Sequence, residues 1–169
     1  ILEAVGKIGA LGDLKVLFSW TQKGTSEERA QALVSMAKII SRNPMGDLSL
    51  SAKILNTFPQ STAPFNYRYA WAYLALRATS VRTDALLKSL DVCIQDKEPL
   101  VRSTCARALG RFGARSATQR EYIRQDEDWR VLLAGIKADR AAGDNQAIAR
   151  RLVALSDRLK NGNFNPAAA

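Results

Sequence analysis

Histidine is absent from the 169 residues of this chain, and its absence removes a large part of protein chemistry. Without an imidazole there is no common general base, no common metal ligand and no partner to activate a nucleophilic serine or cysteine. We therefore expect no catalytic residue, no metal site and no cofactor in these residues.

Cysteine is scarce, since only Cys93 and Cys105 are present. Two thiols are too few for a disulfide framework or a four-ligand zinc site. Both fall on apolar faces of predicted helices, where a thiol usually packs as a small hydrophobic group. The sequence thus predicts two buried free thiols.

Long hydrophobic runs are also missing, because arginine, lysine or aspartate interrupts every apolar stretch, so no membrane span is predicted. A hydrophobic content of 47% and a charged content of 24% are typical of a globular domain with a sizeable core. The chain opens without Met, inside an amphipathic pattern of Ile1, Val5 and Ile8. We expect it to be a piece of a longer protein, in the cytoplasm or, if the parent is exported, in the periplasm.

Charge of one sign is in excess. The chain has 25 lysines and arginines against 16 acidic residues, a formal net charge of +9. Such an excess favours an acidic partner, either a protein or peptide or else a nucleic acid. It leaves the oligomeric state open.

Helical periodicity runs through almost the whole chain, and no stretch alternates as a strand would. Residues 115–125 are only weakly periodic and predict a short or irregular helix. Helix starts and stops are indicated by Thr25 with Glu28, Asp47, Thr83 or Asp84, Pro99, Gly113, Gly143 and Asp144. The short linkers predict antiparallel hairpins, about four and a half helix pairs over residues 1–160. Residues 161–169 are expected to be a disordered tail.

The last predicted helix has one apolar stripe, Ile148, Leu152, Leu155 and Leu159, and the charged residues Arg150, Arg151, Asp157 and Arg158 lie off it. One-sided hydrophobicity is typical of the helix that caps a repeat array. We therefore expect this helix to cap the array with its apolar stripe turned inward.

An arginine recurs near the start of four helices. Aligned on it, the segments are RAQALVSMAKI, RYAWAYLALRA, RSTCARALGRF and RVLLAGIKADR, which begin at Arg29, Arg68, Arg102 and Arg130. Small or apolar residues stand four and eight positions later in each copy, so the same face is buried each time. A repeated helical unit of this kind predicts an all-α fold, an α-solenoid of stacked helix pairs.

Residues 96–113, DKEPLVRSTCARALGRFG, resemble the second-helix region of HEAT repeats. The resemblance implies a right-handed superhelix and a ladder of aspartate and arginine between adjacent units. By that resemblance Asp96 and Arg102 belong to the ladder, and Asp126 serves with Arg130. Periodicity separately places these arginines on the buried stripe, where each needs a carboxylate or carbonyl partner.

Three further segments resemble bacterial HEAT arrays that accompany cyclophilin-type peptidyl-prolyl isomerase domains: AVGKIGALGD, YRYAWAYLALRAT and DEDWRVLLAGIKA. No cyclophilin sequence is present in the chain. By this resemblance the chain would be an accessory region of an isomerase whose catalytic domain lies elsewhere.

Function is expected on the columns opposite the buried stripe. Nine positions after each arginine stand Lys38, Arg77, Arg111 and Asp139, and five positions after stand Val34, Tyr73, Arg107 and Gly135. The basic and aromatic residues at these positions, together with Tyr69, predict a ridge on the concave side that binds a protein or acidic peptide. They are Lys38, Tyr69, Tyr73, Arg77, Arg107 and Arg111. The alternatives are a solvated charged surface and a nucleic-acid-binding solenoid.

Overall fold

The computed structural model describes residues 1–46 and 48–160, which form helices and the turns between them. The predicted cap Asp47 and the predicted tail, residues 161–169, lie outside the described residues. The α-helices are α1 (Leu2–Ile8), α2 (Leu14–Lys23), α3 (Ser26–Arg42), α4 (Ser49–Leu55), α5 (Phe65–Arg77), α6 (Asp84–Cys93), α7 (Pro99–Leu109), α8 (Ala117–Ile123), α9 (Trp129–Ala142) and α10 (Asn145–Lys160). Short 3₁₀ segments cover Leu11–Asp13 and Gly110–Ser116.

The helices stack in two layers. The first layer contains α1, α3, α5, α7 and α9, each packed on the next. The second layer contains α2, α4 and α6, which also stack in order, and α8, which packs on α7 and α9. Each second-layer helix pairs with the helix that follows it in the chain. The predicted all-α, HEAT-like α-solenoid is therefore confirmed.

Local sequence signals fix several helix ends. Thr25 and Glu28 form the predicted capping box at α3, because each side chain accepts the backbone N–H of the other residue, at 3.3 and 2.8 Å. The Thr83 hydroxyl accepts the N–H of Leu86 at the start of α6. Gly113 turns the chain after α7 with a φ of 55°, which a side chain would disfavour.

Aromatic packing joins the two layers at α5. Trp71 is 1% exposed, and its indole N–H donates to the Ile54 carbonyl in α4 at 3.1 Å. The Phe58 ring meets the Trp71 ring edge to face, with centroids 5.0 Å apart. This side of α5 therefore faces the second layer, and on the opposite side Phe65 and Arg77 are exposed while Tyr69 and Tyr73 are half-buried.

The two cysteines are linked to each other, which the sequence does not predict. Cys93 at the end of α6 and Cys105 in α7 form a disulfide, with Cα atoms 6.1 Å apart. Both are fully buried, as their apolar faces predict, but the expectation of free thiols was wrong. The apolar faces of α6 and α7 pack against each other in one helix hairpin, which brings the two sulfur atoms together.

The register of the fourth repeat copy was also wrong. Arg29, Arg68 and Arg102 are each the fourth residue of their helix, whereas the fourth residue of α9 is Leu132 and not Arg130. The turns before α7 and α9 confirm the shift. Three residues before each helix an aspartate, Asp96 or Asp126, accepts the N–H two residues further on, at 2.9 Å. The α9 copy therefore aligns two residues later than its arginine indicates.

Candidate partner-binding surface and arginine pairs

Two arginine–aspartate pairs link consecutive units of the array. Arg68 donates from Nε and Nη2 to both carboxylate oxygens of Asp96, at 2.7 and 3.1 Å. Arg102 binds Asp126 in the same way, at 2.7 and 3.0 Å, which raises the pKa of Arg102 through that hydrogen bond. In both pairs the arginine belongs to one unit and the aspartate to the next. Both are bidentate, the strongest geometry for this pair of groups.

Each paired arginine also binds the turn that leads into its own helix. Arg68 donates to the carbonyls of Ser61 and Ala63, and Arg102 donates to the carbonyls of Asp96 and Lys97 at 2.8 and 3.1 Å. The side chains of Arg68 and Asp96 are only 2% and 1% exposed. The guanidinium of Arg68 thus lies between the turn that leads into α5 and the turn that leads into α7.

The other two recurring arginines are not held in this way. Arg29 donates to the Gln22 carbonyl at 2.8 Å, and its buried Nε has no hydrogen-bond partner in the part of the chain that the structure describes. Three residues before α5 stands Thr62, where the next two turns have an aspartate. Arg130 bonds instead with Asp128, two residues away and at 2.7 Å.

A second charged cluster closes the array at α8, α9 and α10. Asp139 is 0% exposed and accepts hydrogen bonds from Arg120, at 2.8 Å, and from Arg151. Arg120 also reaches Asp144, and Arg151 also donates to the Arg120 carbonyl. The expectation that Asp139 lies on an outward column was wrong, because of the two-residue shift in α9.

The buried side of α10 also differs from the expected one. Arg151 is 3% exposed, whereas Leu152 is 54% exposed and Val153 is 62% exposed. The Arg151 guanidinium lies against Gly135, where an added Cβ would come within 2.9 Å of it. Ile148 and Leu155 of the predicted stripe are half-buried, so the paired Arg151 anchors α10 together with part of that stripe. Leu159 lies outside the residues whose side chains the structure describes.

Four side chains run along the side of α5 opposite Trp71 at intervals of four residues: Phe65, Tyr69, Tyr73 and Arg77. We call them the α5 stripe. The rings of Phe65 and Tyr69 stack with centroids 5.9 Å apart and planes at 20°. The Arg77 guanidinium covers the Tyr73 ring, 5.1 Å from its centroid. Phe65 is 43% exposed and Arg77 is exposed, whereas Tyr69 and Tyr73 are half-buried and pack against the core.

Cations occupy the corresponding side of the neighbouring helices. Tyr73 is the ninth residue of α5, and the ninth residues of α7 and α9 are Arg107 and Lys137, both exposed. Lys38 is the thirteenth residue of α3, as Arg77 is of α5, and it is half-buried. Lys137 was missed in the sequence because the register of α9 was misplaced. We call the α5 stripe with Lys38, Arg107 and Lys137 the first-layer surface.

Arg111 does not belong to the first-layer surface. It is half-buried and donates to the carbonyls of Ala75 and Ala78 at the C-terminal end of α5, the second at 2.6 Å. Its pKa is lowered to about 10, mainly because burial removes water from the guanidinium and secondarily because of the charge of Arg82. The expectation that Arg111 points outward was therefore wrong, because its guanidinium binds the end of α5. Arg42 binds the end of α1 similarly, through the carbonyls of Gly6 and Gly9, both at 2.9 Å.

Comparison with known families agrees with this architecture. Residues 86–115 match the HEAT repeat family model, which spans most of α6, all of α7 and most of the following 3₁₀ segment. No curated protein and no solved structure matches the chain at a significant level. Across residues 1–46 and 48–160, no helix is both long and apolar enough to cross a bilayer. The fold and the family match together define a helical-repeat array of the kind that commonly mediates protein interactions.

Proposed function

We propose that this chain is a non-catalytic scaffold that binds a partner protein on the first-layer surface. The observation that carries the proposal is the α5 stripe, a row of an exposed Phe65 and the half-buried rings of Tyr69 and Tyr73 on the side of α5 opposite Trp71. Tyrosine and arginine are enriched among the residues that dominate binding energy, and rigid rings bury large areas at low entropic cost.

The charges beside the stripe select the chemistry of the partner. Lys38, Arg77, Arg107 and Lys137 come from four consecutive first-layer helices, so positive charge lies beside the rings along the stack. An extended acidic peptide that carries aromatic or aliphatic side chains is complementary to this surface. Its carboxylates would meet the cations, and its apolar groups would pack on the rings.

Charge reversal tests this proposal. We expect Arg77→Glu with Arg107→Glu to weaken binding of a peptide of Asp, Glu and Phe by about tenfold or more at low salt, as measured by fluorescence anisotropy. The matched control is Lys15→Glu with Lys88→Glu, which makes the same charge change on exposed residues of α2 and α6 in the second layer. Thermal unfolding of both variants should be nearly unchanged, because exposed charges contribute little to folding.

The outcomes separate the alternatives. Equal loss of binding in both double variants would show a general charge effect and contradict the proposed surface. Duplex DNA that binds more tightly than the peptide, with a steep salt dependence, would favour the nucleic-acid function instead. Phe65→Ala should weaken binding of the peptide at high salt as well as at low salt, because the contact that Phe65 makes with the peptide is apolar.

A further inference from the structure

Three arginines gather where the loop between α5 and α6 meets the 3₁₀ segment after α7. We call Arg82, Arg111 and Arg115 the arginine cluster. Arg115 donates from Nη1 to the Arg82 carbonyl at 3.3 Å. The guanidiniums of Arg111 and Arg115 both lie on the Phe112 ring, 5.7 and 5.6 Å from its centroid. The cluster is separate from the α5 stripe and takes no part in the function proposed above.

The cluster has more positive charge than its surroundings neutralise. Among the described residues, the carboxylate bonded to it is that of Asp84, which accepts from Arg115 and is 84% exposed. Arg82 and Arg111 have no salt bridge to a carboxylate in that part of the chain, so two positive charges remain in excess. Like charges held close together repel one another, and a bound anion would relieve that repulsion.

Contacts within the chain account for Arg111 and Arg115 but not for Arg82. Arg111 binds the C-terminal carbonyls of α5, where a cation is favourable to the helix dipole. Its Nε is buried without a hydrogen-bond partner in the described chain. Arg82 is exposed and makes no side-chain hydrogen bond to the described residues, so its charge beside Arg111 has no structural purpose of that kind.

We propose that the arginine cluster binds the dianion of a phosphate monoester, with Arg82 and Arg115 as the exposed donors and Arg111 as the buried charge behind them. Guanidiniums in a group are the usual receptor for such a dianion, because each offers two parallel N–H donors. A monoester has nearly two negative charges at pH 7, which equals the excess in the cluster. A phosphodiester has one and would leave the cluster charged.

The first test uses inorganic phosphate and a phosphoserine peptide as probes, each against sodium chloride at equal ionic strength. We expect either probe at ten times its Kd to raise the Tm by about 3–6 °C. Binding by the phosphopeptide and not by its unphosphorylated form would identify a protein-borne phosphate as the source. Response to inorganic phosphate alone would identify the free anion. No shift with either probe beyond that of chloride would overturn the proposal.

Variants locate the binding. Arg82→Gln with Arg115→Gln should abolish the shift, and the matched pair Arg140→Gln with Arg150→Gln, two exposed arginines elsewhere, should retain it. Asp84→Asn removes the competing carboxylate and should tighten the Kd by about two- to fivefold, the value of one exposed ion pair. A shift that survives the Arg82 and Arg115 changes, or a Kd unmoved by Asp84→Asn, would contradict the site. Equal binding of a DNA oligonucleotide at the cluster would overturn the choice of a monoester.

Discussion

Replacing Arg68 with Met is expected to lower the free energy of unfolding by about 3–5 kcal/mol, the usual cost of removing one partner from a buried ion pair. The change leaves the Asp96 carboxylate, 1% exposed, without its bidentate donor and leaves the Ser61 and Ala63 carbonyls without theirs. Urea unfolding followed by circular dichroism gives the difference directly.

A graded series provides the control. Arg102 is 17% exposed and Arg130 is 34% exposed, so the same change to Met should cost less at Arg102 and about 0–1 kcal/mol at Arg130. Adding Asp96→Asn to Arg68→Met should recover part of the loss, because the amide carbonyl still accepts the Glu98 N–H without a buried charge. Equal losses at all three arginines would mean that burial of the pair does not set its contribution.

Reduction of the disulfide between Cys93 and Cys105 is expected to lower the free energy of unfolding by about 3 kcal/mol. The bond closes a short loop, with a sequence separation of 12, and restricts the unfolded chain accordingly. The measurement is urea unfolding with and without dithiothreitol. Both cysteines are 0% exposed, so the reduction should be slow in the folded protein and is best started from the unfolded state.

The matched variant for this experiment is Cys93→Ala with Cys105→Ala, which should unfold at the same urea concentration with or without reductant. If the parent protein also shows no dependence on reductant, the two thiols are not linked in solution. The α6–α7 hairpin would then be stabilised by packing alone.

The elements of this fold could be predicted because their signals are local. The capping box at Thr25, Thr83 at the start of α6 and Pro99 in the first turn of α7 each concern residues within one turn, and the helices begin there. The register of α9 was predicted wrongly because Arg130 was aligned with the other recurring arginines and the turn before the helix was not considered. The aspartate three residues before the helix gives the right alignment, and it was visible in the sequence.

The positions of individual charges could not be predicted from helical spacing. Angle around the helix axis places Arg111 opposite the core but does not say what packs on that side, and Asp139 was placed there through the wrong register of α9. The carbonyls at the end of α5 bind the first, and Arg120 and Arg151 bind the second. The pairing of Arg68 with Asp96, 28 residues away, likewise depends on how units stack.

Because the arginine and the aspartate of each pair belong to consecutive units, the two pairs restrict how this array could change in evolution. Asp96 caps the turn of its own unit through the Glu98 N–H and neutralises the arginine of the unit before it. A unit copied or exchanged at these two junctions would keep the pairing only if it brought an aspartate for its predecessor, whereas the junction after Arg29, with Thr62 in that place, is built without one. The Arg68–Asp96 and Arg102–Asp126 pairs thus favour particular neighbours. The array would lengthen most readily by duplication of a unit that already carries both the aspartate and the arginine, as the α6–α7 unit does.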